Sequence, residues 1–390
     1  MNKHLPPLSL YIHIPWCVKK CPYCDFNSHT TQDIPEKAYL QQLKKDLLAD
    51  LVFVQRRPLE SIFIGGGTPS LMSAGFYKEL LAFVAEHIEI TASTEITLEA
   101  NPGTTESSKF FGYREAGINL LSVGVQSFQT HQLENLGRIH SGGDAVLAIK
   151  QAQQAGFDNF NIDLMHGLPG QTSAAALTDL QQALDLNAPH ISWYQLTIEQ
   201  NTEFFRHPPL LPEDDALWEI QQAGASLLAK QNRLQYEVSA FARVGHEAKH
   251  NLNYWRFGDY LGIGAGAHGK VSLLKEGEYL LTSSSMYRYR KTRMPKDYLA
   301  TSYNLQPNPS FRIGEEAIAK SDLPFEFMMN VLRLREGVHE RLFQERTGLN
   351  IDVLEPALSQ LRQQGLLALK DLCPTDKGHL FLNNVLEHFS

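Results

Sequence analysis

Tyr11-Ile12-His13-Ile14-Pro15-Trp16-Cys17-Val18-Lys19-Lys20-Cys21-Pro22-Tyr23-Cys24-Asp25-Phe26 carries three of the chain's four cysteines, in the spacing Cys17-x3-Cys21-x2-Cys24. Three thiolates on one short loop can wrap a cubane iron-sulfur cluster and leave it one protein ligand short of its usual four. One iron then has an open position for a chelating small molecule, which is the arrangement of catalytic rather than structural metal centres. Two other readings stay open on the residues alone. One is a zinc knuckle of three Cys and one His, completed by His13 or His29. The other is a disulfide, which is disfavoured because three clustered thiols leave one unpaired.

Working outward from this loop, short apolar runs alternate with amphipathic stretches of helical length. The runs are residues 8–14, 61–64, 95–99, 119–125, 159–164 and 191–198, and the stretches between them are 36–51, 74–87, 107–116, 144–155 and 173–186. A βαβα rhythm of this kind predicts an α/β fold with a parallel sheet and helices outside it, and six strands make a partial (β/α)6 barrel. Gly117 and Gly156 stand where helices should end before the next strand, as helix C-caps.

Ligands in parallel α/β folds meet the C-terminal ends of the strands. The second strand runs into Gly65-Gly66-Gly67-Thr68-Pro69, where missing side chains let backbone approach a ligand, although a tight turn explains such a run equally well. The third ends at Glu99, the fourth delivers Gly124-Val125-Gln126-Ser127, and the fifth carries Asp163. One such ending would mean little; four in register favour a common site.

The stretch from Tyr11 to Cys17, running into Cys24-Asp25-Phe26, resembles the radical S-adenosylmethionine (SAM) superfamily. Within it the chain is similar to the branch that contains oxygen-independent coproporphyrinogen III oxidase and the heme chaperones of the HemW family. The resemblance implies a radical SAM barrel, a 4Fe-4S cluster on Cys17, Cys21 and Cys24, and SAM on the open iron. SAM presents a sulfonium, an ammonium, a carboxylate and ribose hydroxyls, so its site calls for carboxylates, carbonyls and an arginine. By the same resemblance Tyr11, Gly66, Gly67, Thr68, Glu99, Gln126, Arg138 and Asp163 match positions that contact one or a second SAM. On the residues alone Arg138 reads equally well as a surface arginine on a loop between helices.

Beyond Glu199, Pro208, Pro209 and Pro212 break the rhythm before an amphipathic stretch at 214–230 and an apolar, strand-like one at 235–241. Then comes His250-Asn251-Leu252-Asn253-Tyr254-Trp255, an HNxxYW pattern that resembles the chaperones rather than the oxidase. His250 is a candidate heme ligand beside aromatics that could stack on a porphyrin; the competing reading is a buried, hydrogen-bonded histidine among core aromatics. His268 is a weaker candidate, and Cys373-Pro374 weaker still, because an isolated free cysteine is usually inert packing.

The expected organisation is a radical SAM core over 1–235, a connecting region with the HNxxYW motif over 236–310, and a mostly helical, winged-helix-like C-terminal domain over 311–390. In that last unit helices are expected at 322–336, 340–347, 352–364 and 378–389, with a short strand at 365–370. It holds nine Lys and Arg against twelve Asp and Glu, which argues against a DNA-reading wing. The whole chain, with 390 residues and a net charge of −8, is not built for nucleic acid or a polybasic membrane contact. Its few cysteines suit a reducing compartment, and neither a signal peptide nor an apolar run of membrane-spanning length is expected, which points to the cytoplasm.

The resemblance implies a chaperone that delivers heme to heme-requiring membrane proteins such as respiratory cytochromes. The enzyme alternative is the oxidase, which abstracts hydrogen through a 5'-deoxyadenosyl radical. Phe26 stands where the oxidase carries a further cysteine, and the motif begins at Tyr11 with no room for the oxidase's longer N-terminal segment, so the chaperone is favoured. A regulator that senses iron or SAM is a third class.

Overall fold

A computed structural model describes residues 5–31, 33–103, 107–274, 286–301 and 311–389. The sequence forms strands β1 (Leu8–Ile14), β2 (Trp16–Cys17), β3 (His29–Thr30), β4 (Leu59–Gly66), β5 (Ile90–Ala100), β6 (Leu120–Gln126), β7 (Phe160–His166) and β8 (His190–Gln195). It continues with β9 (Leu234–Glu237), β10 (Ala240–Ala242), β11 (Asp259–Ile263), β12 (His268–Ser272), β13 (Met286–Lys291) and β14 (Arg312–Ala317). The helices that matter here are α1 (Glu36–Asp50), α2 (Ala74–His87), α3 (Phe110–Glu115), α4 (Thr130–Asn135), α5 (Gly142–Gln154), α6 (Ser173–Asp185), α7 (Asp214–Lys230) and α8 (Lys249–Trp255).

Twelve strands make one mixed sheet in the order β14-β13-β12-β11-β1-β4-β5-β6-β7-β8-β10-β9. Neighbours from β11 through β1 and on to β8 are parallel, and the flanking pairs are antiparallel. The expected six-strand barrel is therefore present but wider: β11 joins its first edge in parallel and β12 to β14 extend it. The expected strand at 235–241 folds instead as the β9–β10 hairpin, because Val238 and Ser239 turn the chain between two short strands.

Alternation along the strands decides what faces the helices and what faces the site. On β1 the even positions Leu8, Leu10, Ile12 and Ile14 are fully buried in the main apolar core, with Leu43 and Leu47 of α1 and Leu80 and Val84 of α2. Each such side chain stabilises the fold by ~1.5–3 kcal/mol. The odd positions Ser9, Tyr11 and His13 turn to the opposite face, where the Ser9 and Ser61 hydroxyls meet at 2.8 Å. The chain ends α3 and α5 as expected, with Gly117 (φ +105°) and Gly156 (φ +83°) in the left-handed region. Helix α5 begins two residues before the expected start, since Ser141 and Asp144 form a reciprocal capping box.

Residues of the last segment pack a second apolar core of Phe327, Phe343, Leu358 and Leu361, which also takes in Phe257 and Met286. Its helices are shorter than expected. The one beginning near 322 ends at Val331, and the stretch 352–364 becomes a 3-10 turn at Ile351–Leu354 and a helix at Ala357–Gln363, because Pro356 interrupts the hydrogen-bond ladder. The expected helix at 378–389 splits at Phe381 into Asp376–Leu380 and Leu382–Glu387. No strand forms at 365–370: Leu367 makes one isolated bridge to Pro374, and Leu369 is 82% exposed. The boundary expected at residue 310 lies outside the described residues.

Candidate functional site

The cysteine loop leaves the end of β1 and is stitched to the glycine turn after β4. Gly67 N–H donates to the Ile14 carbonyl at 2.7 Å, and Thr68 N–H donates to the Trp16 carbonyl at 2.7 Å. Close approach, rather than the turn alone, requires the glycines. A Cβ on Gly66, at φ +116°, would stand 2.6 Å from the His13 ring, and one on Gly67 would stand 2.5 Å from the Trp16 carbonyl oxygen. Thr68 Oγ1 donates to Cys17 Sγ at 3.4 Å, and Arg138 Nη1 donates to Cys21 Sγ at 3.6 Å.

All three thiols line one cavity of about 550 Å³ at the C-terminal ends of the strands. Cys373 is elsewhere, its Sγ against the Arg335 carbonyl in the C-terminal unit. Burial pushes the Cys17 and Cys24 thiols up, so thiolates there call for a compensating metal charge. The donor set fits a cluster with an open iron better than a zinc knuckle. His13 uses both ring nitrogens, Nε2–H donating to the Asn27 carbonyl and Nδ1 accepting from Tyr11 Oη, each at 2.8 Å. The neutral tautomer this requires is the one burial favours, with the His13 pKa lowered to about 4. His29 is hydrogen-bonded to Asn27 Oδ1 at 3.2 Å. Among the described residues no three Cys, His, Asp or Glu side chains converge on a single-ion site.

Gly66, Gly67, Thr68, Glu99, Gln126, Arg138 and Asp163 line the same cavity. Arg138 is not a surface arginine: its Nη2 donates to Asn101 Oδ1 at 2.7 Å and to the Gly124 carbonyl at 2.8 Å, while Nε is buried without a partner among the described residues. Glu99 Oε2 accepts from Gly66 N–H at 3.1 Å. Asp163 accepts from Ser122 Oγ at 2.9 Å and Asn161 Nδ2 at 2.7 Å. Gln126, at φ +69°, accepts from Tyr194 Oη at 2.7 Å. The sequence reading missed Asn101, Tyr194 and Ser122 as members of the site. Asn101 could have been found, since it lies two residues past Glu99 at the same strand exit; the other two lie within strands and carry no motif.

Burial and then the nearby Asp163 charge push the Glu99 pKa up to about 8, and burial raises Asp163 as well. Neither carboxyl has an ion-pair partner among the described residues. A cationic ligand would therefore ionise them, and Arg138 near the cysteine end would take an anionic group: the polarity suits a zwitterion with an additional positive charge. Between its ordinary value of 4.5 and about 8, folding makes Glu99 hold a proton that the unfolded chain releases. Stability contributed by this group is thus complete below 4.5 and is lost as pH rises through 8. Urea denaturation of ligand-free protein is expected to give similar stabilities for wild type and Glu99→Gln at the acid end of this window. The variant should become progressively the more stable toward the alkaline end; a constant difference across the window would refute the assignment.

Two expected residues stand apart from the thiol cavity. Tyr11 lines a neighbouring cavity of about 680 Å³, which shares Phe26, Gly66 and Glu99 with the first. His250, on α8, is buried: its Nδ1 meets Glu95 Oε1 at 2.7 Å, and its ring stacks on Phe63 at 4.4 Å. The further cavity it lines is only about 160 Å³.

Residues 11–182 match the radical SAM superfamily, and residues 318–381 match the HemN C-terminal domain. Among curated proteins the chain is 50% identical to the heme chaperone HemW of Haemophilus influenzae, with 99% of this chain and 98% of that protein covered. It is 49% identical to the HemW of Escherichia coli at the same coverage, and 33% identical to that of Bacillus subtilis with 98% of each covered. Among solved structures, coproporphyrinogen III oxidase (HemN) from Escherichia coli superposes with a TM-score of 0.79 at 23% identity, covering 99% of this chain and 90% of that one, a likeness of fold. With this similarity along its whole length, and with three thiols opening on one cavity of a radical SAM sheet, the chain belongs to the HemW family of the radical SAM superfamily.

Proposed function

We propose that the protein is a cytoplasmic heme chaperone that carries a 4Fe-4S cluster on Cys17, Cys21 and Cys24, binds SAM beside it, and passes heme to heme-requiring membrane proteins such as respiratory cytochromes. The three-cysteine cavity supports the cluster, because three soft ligands without a fourth protein donor among the described residues leave an iron open to chelation. Arg138 would take the carboxylate of SAM, Glu99 and Asp163 its positive charges or hydroxyls, and Gly66, Gly67 and Thr68 would keep the backbone close. When bound, the cluster and SAM supply one-electron chemistry; this chain's residues orient them, exclude water and hold the Glu99 proton. Tyr11 lies outside that cavity and would meet a second ligand or the far side of the first.

The observation that carries the chaperone reading over an oxidase is Phe26. It is 60% exposed at the shared wall of the two cavities, at the position where the resemblance puts the oxidase's further cysteine. Names shared with near full-length relatives support the same reading. No helix among the described residues is long and apolar enough to cross a membrane, so a membrane recipient would have to be met from the side.

Anaerobically reconstituted protein loaded with heme is expected to convert an apo-cytochrome to its holo form faster than free heme does. It should leave coproporphyrinogen III unchanged when reductant and SAM are present. Catalytic formation of protoporphyrinogen IX would replace the chaperone with the oxidase, and failure to bind heme at all would end the proposal.

A further inference from the structure

Behind the thiol cavity a row of polar side chains crosses four strands and ends on a helix. Strand register places Ser122 of β6 beside Asn161 of β7, Asn161 beside His190 of β8, and Asp163 beside Ser192. Asn161 and Asp163, two residues apart on one strand, point to the same face. Tyr236 of β9 and Asn251 of α8 continue the row beyond His190. Its outer end is tied to the C-terminal unit: Arg335 N–H donates to the Tyr236 carbonyl at 3.0 Å, and Arg333 pairs with Glu237 at 3.1 Å.

Every proton in the row has one possible direction. Asn161 Oδ1 lies 2.9 Å from the Ser192 backbone N–H, which can only donate, so the amide's oxygen faces β8 and its Nδ2 faces the site. Nδ2 donates to Asp163 Oδ1 at 2.7 Å and to Ser122 Oγ at 2.8 Å, which leaves the Ser122 hydroxyl to donate to Asp163 Oδ2 at 2.9 Å. On the other side, His190 Nδ1 lies 2.7 Å from Asn161 Oδ1 and must therefore carry the proton. Burial lowers the His190 pKa to about 3 and keeps the ring neutral. Its Nε2 is then an acceptor and takes the Tyr236 hydroxyl proton at 2.8 Å, and Tyr236 Oη accepts in turn from Asn251 Nδ2 at 3.1 Å. Both Asp163 oxygens thus receive a donor, which favours the carboxylate against the burial that opposes it.

We propose that Asn251, Tyr236, His190 and Asn161 form a positioning relay that holds Asp163 as a hydrogen-bond acceptor for SAM. The inference rests on the cluster-and-SAM reading and deepens it with four residues, of which Asn251 alone lines the thiol cavity. A carboxylate whose two oxygens are both held by fixed donors meets its ligand in one position and one ionisation state, so binding spends nothing on reorienting it. Glu99, by contrast, takes only the Gly66 N–H among the described residues, and the proton of this pair of carboxyls stays there. Through Asn251 the HNxxYW motif acquires a role toward SAM that is separate from any role of His250 toward heme.

Equilibrium dialysis of radiolabelled SAM against anaerobically reconstituted protein tests the relay, in single variants and in a double-mutant cycle. Asn161→Leu removes the donor to Asp163 with little change in size and is expected to weaken SAM binding about tenfold or more. Tyr236→Phe removes one hydroxyl outside the cavity and should weaken it about threefold. In an Asp163→Ala background Tyr236→Phe should have no further effect, because the relay acts only through the carboxylate it holds. A residue that merely supports the fold would cost the same in both backgrounds. His190→Asn, whose Nδ2 can donate in place of the ring Nδ1, should bind SAM more tightly than His190→Leu. Equal losses from Tyr236→Phe with and without Asp163, or wild-type affinity in Asn161→Leu, would overturn the relay. Circular dichroism checks that each variant is folded; should Asn161→Leu fail to fold, the Tyr236→Phe cycle, which deletes a single oxygen, decides. Wild-type protein that carries the cluster and binds no SAM would overturn the SAM reading itself.

Discussion

Replacing any one of Cys17, Cys21 or Cys24 by serine is expected to reduce the iron and acid-labile sulfide of anaerobically prepared protein to near zero. A cubane held by three protein thiolates has no spare ligand, and a serine hydroxyl is too hard and too weakly acidic to replace the lost sulfur. No other cysteine can substitute, because Cys373 sits in the C-terminal unit against the Arg335 carbonyl. Cys373→Ser should therefore keep full iron and sulfide. The fold should survive in all four variants, since Cys21 and Cys24 are only half-buried and the main core is built from the strands and helices behind the loop. Mössbauer spectra and circular dichroism provide the two readouts. Stoichiometric zinc without sulfide in the wild type would restore the zinc knuckle.

Substituting Lys291 by alanine is expected to destabilise the protein by about 3–5 kcal/mol, the usual cost of stranding buried charge. Lys291 Nζ lies 2.5 Å from Asp46 Oδ1 and 2.7 Å from Asp50 Oδ2, and all three side chains are fully buried. Asp46 also accepts from Tyr298 Oη at 2.7 Å and Gly264 N–H at 3.0 Å, and Asp50 accepts from Tyr289 Oη at 3.0 Å. Burial pushes Asp46 up against the opposing pull of Lys291, so removing the lysine leaves that carboxyl to protonate and strands Asp50 with the more distant Arg312 at 3.7 Å. This network ties α1 to β13 and to the turn after β11. Urea denaturation should also show that Lys291→Met combined with Asp46→Asn and Asp50→Asn recovers much of the loss; an additive, worse outcome would mean that packing rather than charge is at stake.

The fold was legible wherever local chemistry repeats with a short period. Residues 8–14 and 74–87 were delimited to the residue, because apolar alternation ends at Pro15 in the first and a serine cap precedes the second. Residues 365–370 were misread as a strand, since an apolar run of that length does not reveal whether a partner strand exists. The edge of the sheet was missed for a related reason: β11 to β14 are short, and only the pairing of β11 with β1 and of each later strand with the one before makes them one surface.

The cysteine spacing, the glycine turn and the residues at the strand exits define the candidate site's chemistry without any structure, because ligand type and loop length are properties of the local chain. What that chain could not contain is distance across the fold. Arg138 reaches Cys21 over 117 positions of sequence, Tyr11 turns to the second cavity although it precedes the cysteines, and His250 turns inward to Glu95 over 155 positions. These outcomes depend on strand register and on which face of each strand is buried. Both are settled by long-range packing, where the apolar side chains of β1 and β4 go to the helices and leave the polar ones no other place than the site.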